Sequence, residues 1–176
     1  MNPYSRHKAR KLAVQAIYQW HMTQDPIDHV IAQFLLEANP KKIDLEYFAD
    51  IVNGVVNHTA ELDQNMQVFL DRKVHETDVV ELAVLRLAVY ELLHKFDVPF
   101  KVVIDEALEL AKIYGSVEGF KYVNGILDKV AKVLRHEEFK TKKTAVKSQV
   151  TKQVTKKTTS KHETKPVRKK RVIKSA

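Results

Sequence analysis

Apolar residues recur at helical spacing up to about residue 139, and the prolines at positions 26, 40 and 99 fall between these periodic segments. Each proline blocks a helix on its N-terminal side, because its ring removes an amide donor and restricts the preceding residue. Asp44 and Asp78 stand where their side chains can cap the helices that follow. No run of alternating β-branched residues interrupts the pattern before residue 140. The sequence therefore predicts an all-α fold of about seven helices in two small bundles.

Residues 77–93 are apolar over more than half of a helical circumference, which predicts a central helix in contact with both bundles. Glycine inside a helix costs about 1 kcal/mol relative to alanine. Gly54 and Gly125 both stand inside helical periodicity and therefore indicate close helix–helix approach. Gly115 follows a periodic segment, and we expect it to end that helix in the left-handed conformation.

The net charge of +8 is unevenly distributed along the 176 residues. Residues 140–176 hold 14 Lys and Arg against one acid, whereas residues 1–139 hold 16 Lys and Arg against 21 Asp and Glu. Within this acidic body, residues 1–24 contain four Lys and Arg and no acid. A local basic patch on an acidic body indicates an anionic partner better than the total charge does.

The change in composition also indicates the domain organisation. We expect one domain over residues 1–138, with lobes at about 1–72 and 76–138. The apolar residues of the lysine-rich tail at 139–176 are too few to offset the entropy of ordering, so we expect this tail to be disordered.

Several classes of function find no support in the sequence. There is no cysteine for a disulfide or thiolate site, and no apolar run of the roughly 18 residues that a membrane span needs. The four glycines form no phosphate-binding loop, and the eight histidines include no HExxH pair or other tight cluster. We expect a cytoplasmic protein that is not an enzyme and has no membrane segment, no cofactor and no metal.

Recognition of nucleic acid is the function that these residues favour. We expect the basic side chains of the first helix to lie on its exposed side, where Arg and Lys can pair with phosphate: Arg6, Lys8, Arg10 and Lys11. Tyr18 and Tyr122 offer ring faces on which unpaired bases can stack. This combination suits single-stranded RNA, and the alternative is a solvated basic helix end beside tyrosines at the edge of the core.

Three separated blocks of sequence agree in order and spacing with those of a known family. They are SRHKARKLAVQAIYQW at residues 5–20, ELAVLRLAVYEL at 81–92, and VPFKVVIDEALELAK at 98–112 followed by KYVNGILDK at 121–129. Over roughly residues 4–135 the chain resembles the NusB family of bacterial transcription antitermination factors. The resemblance implies a fold of two three-helix bundles with an extra helix, and the family usually ends before the basic tail.

The resemblance also implies partners and site residues. NusB-family proteins bind boxA RNA as a heterodimer with NusE, which is also a small-subunit ribosomal protein, and help RNA polymerase elongation complexes to transcribe ribosomal RNA operons. By position, the implied RNA-binding residues are Arg6, His7, Lys8, Arg10, Lys11, Lys121 and Tyr122. The implied NusE-binding residues are Tyr18, Glu81, Arg86 and Glu91. For Arg86 and Glu91, an intramolecular ion pair is the alternative.

Two other functions remain open from the sequence. One is the NusB-like RNA-binding module attached to ribosomal RNA cytosine methyltransferases, which would require a downstream Rossmann-type domain where this chain has a tail. The other is a helical homodimer whose tail binds nucleic acid without sequence preference, with a strong dependence on salt. A homodimer of the free chain is also compatible with the first function.

Overall fold

The computed structural model describes residues 3–140, in which every regular element is helical and no strand occurs, so the all-α prediction is confirmed for this part of the chain. The seven α-helices are α1 (Pro3–Thr23), α2 (Ile27–Glu37), α3 (Leu45–Asn57), α4 (Thr59–Gln67), α5 (Val79–His94), α6 (Phe100–Tyr114) and α7 (Gly119–Leu134), with a 3₁₀ helix at Val74–Glu76 between α4 and α5. None of these helices is both long enough and apolar enough to cross a membrane.

Residues up to His136 belong to one compact unit, and a second unit begins at Glu137. In the second unit the structure describes residues 137–140, which are helical, with Lys140 Nζ 3.0 Å from Glu137 Oε1 one turn away. The rest of the tail that the sequence predicts to be disordered lies outside the described residues.

Two aspartates cap helices as predicted. Asp44 Oδ1 accepts a hydrogen bond from the Tyr47 amide at 3.1 Å, and Asp78 Oδ1 accepts from the amides of Val80 and Glu81 at 2.9 and 3.1 Å. These contacts satisfy amide donors that have no partner within the helix. The caps therefore fix where α3 and α5 begin.

Helix α5 is the central element of the first unit, as predicted. It packs against α1, α3, α4, α6 and α7, and all its residues from Glu81 to Leu92 are buried. Helices α1, α2 and α3 contact one another on one side of it, and α6 and α7 contact each other on another. Since a helix buried on all sides has no free solvent face, its polar residues must find partners inside the protein.

The glycines show where helices meet closely and where they do not. A Cβ on Gly54 would overlap the Tyr90 ring of α5, which confirms close approach there. The same expectation for Gly125 is wrong, because no atom lies within 4 Å of a Cβ built at that position. Gly115 ends α6 in an extended conformation (φ −87°, ψ −174°), so the predicted left-handed stop is also wrong.

The carbonyl oxygens at the C-terminal end of α5 accept hydrogen bonds from a side chain whose position no sequence motif indicates. Arg135 is buried and donates hydrogen bonds to the carbonyl oxygens of Leu92, Glu91 and Lys95 at 2.6, 3.0 and 2.9 Å. These carbonyls lie at the end of a helix, where most acceptors lack helical partners; the Glu91 carbonyl also accepts from the Lys95 amide. Arg135, which follows α7, therefore fastens α7 to the end of the central helix.

Candidate nucleic-acid interface

Arg10 is buried, so the expectation that it lies on the exposed side of α1 is wrong. Only 2% of Arg10 is exposed, and its Nε donates to both oxygens of Glu91 at 2.9 and 3.1 Å. Arg10 Nη2 also donates to the Tyr47 hydroxyl at 3.1 Å, and that hydroxyl donates in turn to Glu91. The reason is that α1 packs against α3, α5 and α6, which covers more of its circumference than the apolar stripe alone.

The titration behaviour of this buried cluster follows from its surroundings. Burial raises the pKa of Glu91, and the adjacent Arg10 charge opposes that effect. Burial acts to lower the pKa of Arg10, but Glu91, Tyr47 and Glu106 together outweigh it, so the net shift of the Arg10 pKa is upward. Burial and the Glu91 charge raise the pKa of Tyr47, which keeps its hydroxyl protonated as a donor. The cluster joins α1, α3 and α5 in the core.

Arg6 and His7 are half-buried and face carboxylates of the same chain. Arg6 Nη1 donates to Asp97 Oδ2 at 2.8 Å. His7 Nδ1 lies 2.8 Å from Glu106 Oε2, and its Nε2 lies 3.6 Å from Glu109 Oε1. Internal carboxylates therefore offset the charge that these two side chains could offer to a phosphate.

Lys8 and Lys11 differ from their basic neighbours, because neither forms an ion pair with an acid among the described residues. Both are only partly covered. Lys8 Nζ lies 4.2 Å from the centroid of the Tyr4 ring, which is itself 62% exposed. A positive charge next to an exposed aromatic ring is an arrangement that suits a nucleic-acid strand.

Lys121 and Tyr122 lie together in the first turn of α7. Lys121 is exposed, and its Nζ lies 2.5 Å from Glu118 Oε2. The guanidinium of Arg72 lies 4.8 Å from the centroid of the Tyr122 ring, and Arg72 is held by a hydrogen bond of 2.8 Å to Asp71. Burial raises the pKa of the Tyr122 hydroxyl. The short segment between α4 and α5 carries no motif, so the position of Arg72 beside Tyr122 could not be predicted from the sequence.

The residues expected to contact a protein partner have different surroundings. Tyr18 is 40% exposed and lines a groove of about 510 Å³ between α1, α2 and neighbouring residues of α5 and α6: Val14, Gln15, Gln19, Met22, Thr23, Phe34, Val80 and Tyr114. Glu81 follows the groove residue Val80 in the sequence. It is only 7% exposed and accepts a hydrogen bond from Ser116 Oγ at 2.9 Å. The groove is mainly apolar and open, so it can take a protein side chain or helix edge.

Arg86 and Glu91 are not free surface residues, which corrects the expectation that they face a partner. Arg86 donates from Nε and Nη2 to the two carboxylate oxygens of Asp63 at 2.9 and 2.8 Å, and its Nη1 lies 3.3 Å from His21 Nδ1. Glu91 is fully buried beside Arg10. The alternative of an intramolecular ion pair therefore holds for both residues, and each finds its partner on another helix.

Comparison with known proteins gives consistent matches. The model of the NusB family matches residues 7–132. The transcription antitermination protein NusB of Idiomarina loihiensis is 51% identical over 135 residues, which cover 77% of this chain and 97% of that protein. The protein of the same name from Pseudoalteromonas atlantica is 49% identical over 138 residues, 78% of this chain and 99% of that protein.

Solved structures of NusB proteins are also similar to this chain. The chain superposes on NusB of T. maritima with a TM-score of 0.69 and 30% identity, over 77% of this chain and 96% of that one. It also superposes on a chain in the crystal structure of the antitermination factors NusB and NusE in complex with dsRNA, with a TM-score of 0.68 and 26% identity over 75% of this chain and 99% of that one.

Proposed function

The chain belongs to the NusB family, and from this membership we propose that it acts in transcription antitermination by binding RNA together with NusE. The RNA is single-stranded and of the boxA type, and the complex acts on RNA polymerase elongation complexes that transcribe ribosomal RNA operons. That role places the protein in the cytoplasm. It is one of recognition, and none of its steps requires a cofactor.

The observation that carries this proposal is the difference in charge partners along α1. Arg6 and Arg10 are paired with carboxylates, whereas Lys8 and Lys11 have no acidic partner among the described residues. An ammonium without an internal partner can neutralise a phosphate and release its counterions. We therefore assign the RNA-facing charge of α1 to Lys8 and Lys11, and give Arg10 the role of holding α1 in place.

On α7, Lys121 supplies a further exposed ammonium, whose ion pair with the equally exposed Glu118 must open to meet a phosphate, and Tyr122 supplies an aromatic ring. The Arg72 guanidinium already lies over the Tyr122 ring. An unpaired base can stack on the Arg72 guanidinium plane and so extend this arrangement. Phosphate contacts position a strand and base contacts select it, so we assign sequence preference to this part of the surface.

For NusE we propose the groove beside Tyr18. The exposed Tyr18 and Met22 (40% and 57%) are amphipathic or adaptable side chains of the kind that anchor protein interfaces. Glu81 contributes to this surface indirectly, because its carboxylate holds Ser116 before α7 while its neighbour Val80 lines the groove. A homodimer of the free chain remains a prediction from the sequence.

The experiment is fluorescence anisotropy of labelled boxA RNA and of a scrambled RNA, titrated with the full chain in the presence and absence of NusE. We expect a preference for boxA that increases when NusE is bound. Equal affinity for the two RNAs at every salt concentration, with or without NusE, would contradict the proposal and favour sequence-independent binding by the basic tail.

A further inference from the structure

Three side chains with metal-binding groups converge at the junction of α3, α4 and α5. His58 separates α3 from α4, Glu61 lies in the first turn of α4, and His94 is the last residue of α5. One ligand atom from each side chain lies within 4.8 Å of the others. These residues form no tight cluster in the sequence, because they come together only through the fold.

The distances suit a small metal ion. His58 Nδ1 lies 2.9 Å and His94 Nε2 lies 3.6 Å from the same atom, Glu61 Oε2. Ligands at about 2.1 Å from a tetrahedral metal lie roughly 3.4 Å from one another, which falls between these two distances. The two imidazole rings have centroids 4.7 Å apart, and the three ligand atoms all lie within 4.8 Å of one another.

The three side chains of this cluster are partly exposed and lie over a buried aromatic ring. The side chains of His58, Glu61 and His94 are 45%, 46% and 31% exposed, which lets an ion enter and leaves room for water as a fourth ligand. The buried Tyr90 ring packs beneath both imidazoles, with centroids 6.2 and 4.9 Å away. The nearby Lys95 ammonium is engaged by Asp50, which offsets its charge.

We propose that His58, Glu61 and His94 form a binding site for a divalent transition-metal ion, Zn²⁺ in particular. Two imidazoles and one carboxylate are ligands that Zn²⁺ accepts, whereas Mg²⁺ and Ca²⁺ prefer oxygen alone. The ion cross-links the start of α4 to the end of α5. Because the site exists only in the folded chain, binding stabilises the folded state.

The competing explanation is a hydrogen-bonded cluster in which Glu61 simply accepts from the two histidines. The substitution Glu61→Gln separates the two cases, because the amide can still form hydrogen bonds but is a poor zinc ligand. His94→Ala removes one imidazole outright. His75→Ala is the matched control, since His75 is exposed and lies 3.8 Å from Glu76 but belongs to no group of metal-binding side chains among residues 3–140.

The test is isothermal titration calorimetry of the full chain with Zn²⁺, with Mg²⁺ as a comparison, at a pH where free imidazole is neutral. We expect one tight equivalent of Zn²⁺ and none of Mg²⁺. His94→Ala and Glu61→Gln should each weaken the Zn²⁺ affinity at least tenfold, and His75→Ala should leave it unchanged. Zn²⁺ should raise the melting temperature of the wild type and of His75→Ala but not that of His94→Ala.

Two results would overturn the proposal. One is the absence of a tight Zn²⁺ equivalent in the wild type. The other is an affinity and a thermal shift that are the same in the wild type, His94→Ala and Glu61→Gln, since Zn²⁺ would then bind elsewhere. Circular dichroism of each variant at the titration temperature verifies that loss of binding is not loss of folding.

Discussion

Removing the guanidinium of Arg10 should destabilise the fold strongly, although sequence reasoning treats Arg10 as a surface residue. In Arg10→Met the apolar stem is kept, but Glu91 stays fully buried with Tyr47 as its remaining donor in the cluster. Loss of one partner of a buried ion pair costs about 3–5 kcal/mol. This is a large part of the roughly 5–15 kcal/mol by which a domain of this size is stable.

The assay is urea denaturation of the full chain followed by far-UV circular dichroism, with the free energy of unfolding taken from the midpoint and slope. The triple variant Arg10→Met/Glu91→Leu/Tyr47→Phe replaces the whole polar cluster with apolar groups and should recover most of the loss. Lys11→Met is the matched control on the same helix, and we expect a change within about 0.5 kcal/mol.

Two outcomes would refute this reasoning. If Arg10→Met unfolds at the same urea concentration as the wild type, the buried Glu91 carboxyl group does not need Arg10 for its stabilisation. If the triple variant is no more stable than the single one, the loss arises from packing and not from an unpaired buried charge.

Three further predictions concern the core and the tail. Gly54→Ala should cost about 1–3 kcal/mol of unfolding free energy, since its Cβ meets the Tyr90 ring, whereas Gly125→Ala has open space and should be neutral or stabilising; equal melting temperatures would contradict this. Burial raises the folded-state pKa of Glu91 above its ordinary value of 4.5. The wild type should therefore gain stability relative to Glu91→Gln as pH falls through the raised pKa towards 4.5, and lose that stability as pH rises. Urea midpoints of the two proteins that differ by the same amount at all pH values would argue against this pKa shift. Deleting residues 141–176 should make RNA affinity less dependent on salt, because the sequence of this tail is strongly basic; an unchanged salt slope would show that it does not contact RNA.

Much of the fold follows from local rules that a sequence displays. The prolines, the Asp44 and Asp78 caps and the apolar periodicity predict the number of helices and the central place of α5, and all are confirmed in the described residues. Gly125 shows the limit of such rules. A mid-helix glycine indicates close packing only where another helix is opposite, and that depends on tertiary structure.

The candidate site is predicted less well, because charged residues are assigned to the solvent by default. Arg10 and Glu91 are 81 positions apart, and nothing local to either indicates that they pair in the core. The same holds for Arg86, whose partner Asp63 lies on α4. The basic segment can be recognised in the sequence because it contains no acids. Which of its charges remain available to a phosphate depends on the carboxylates of α5 and α6, and these reach the segment only in the folded chain.

The most direct test of the proposed RNA surface is the salt dependence of boxA affinity for the full chain bound to NusE. Lys8→Ala/Lys11→Ala should weaken binding and reduce the slope of log affinity against log salt by about 1.4, which corresponds to two lost phosphate contacts on a single strand. The double variant Lys101→Ala/Lys129→Ala removes two exposed lysines elsewhere and should leave the affinity within about twofold. If Lys8→Ala/Lys11→Ala binds boxA RNA with the affinity and salt slope of the wild type, α1 does not supply the RNA-facing charge and the account is contradicted.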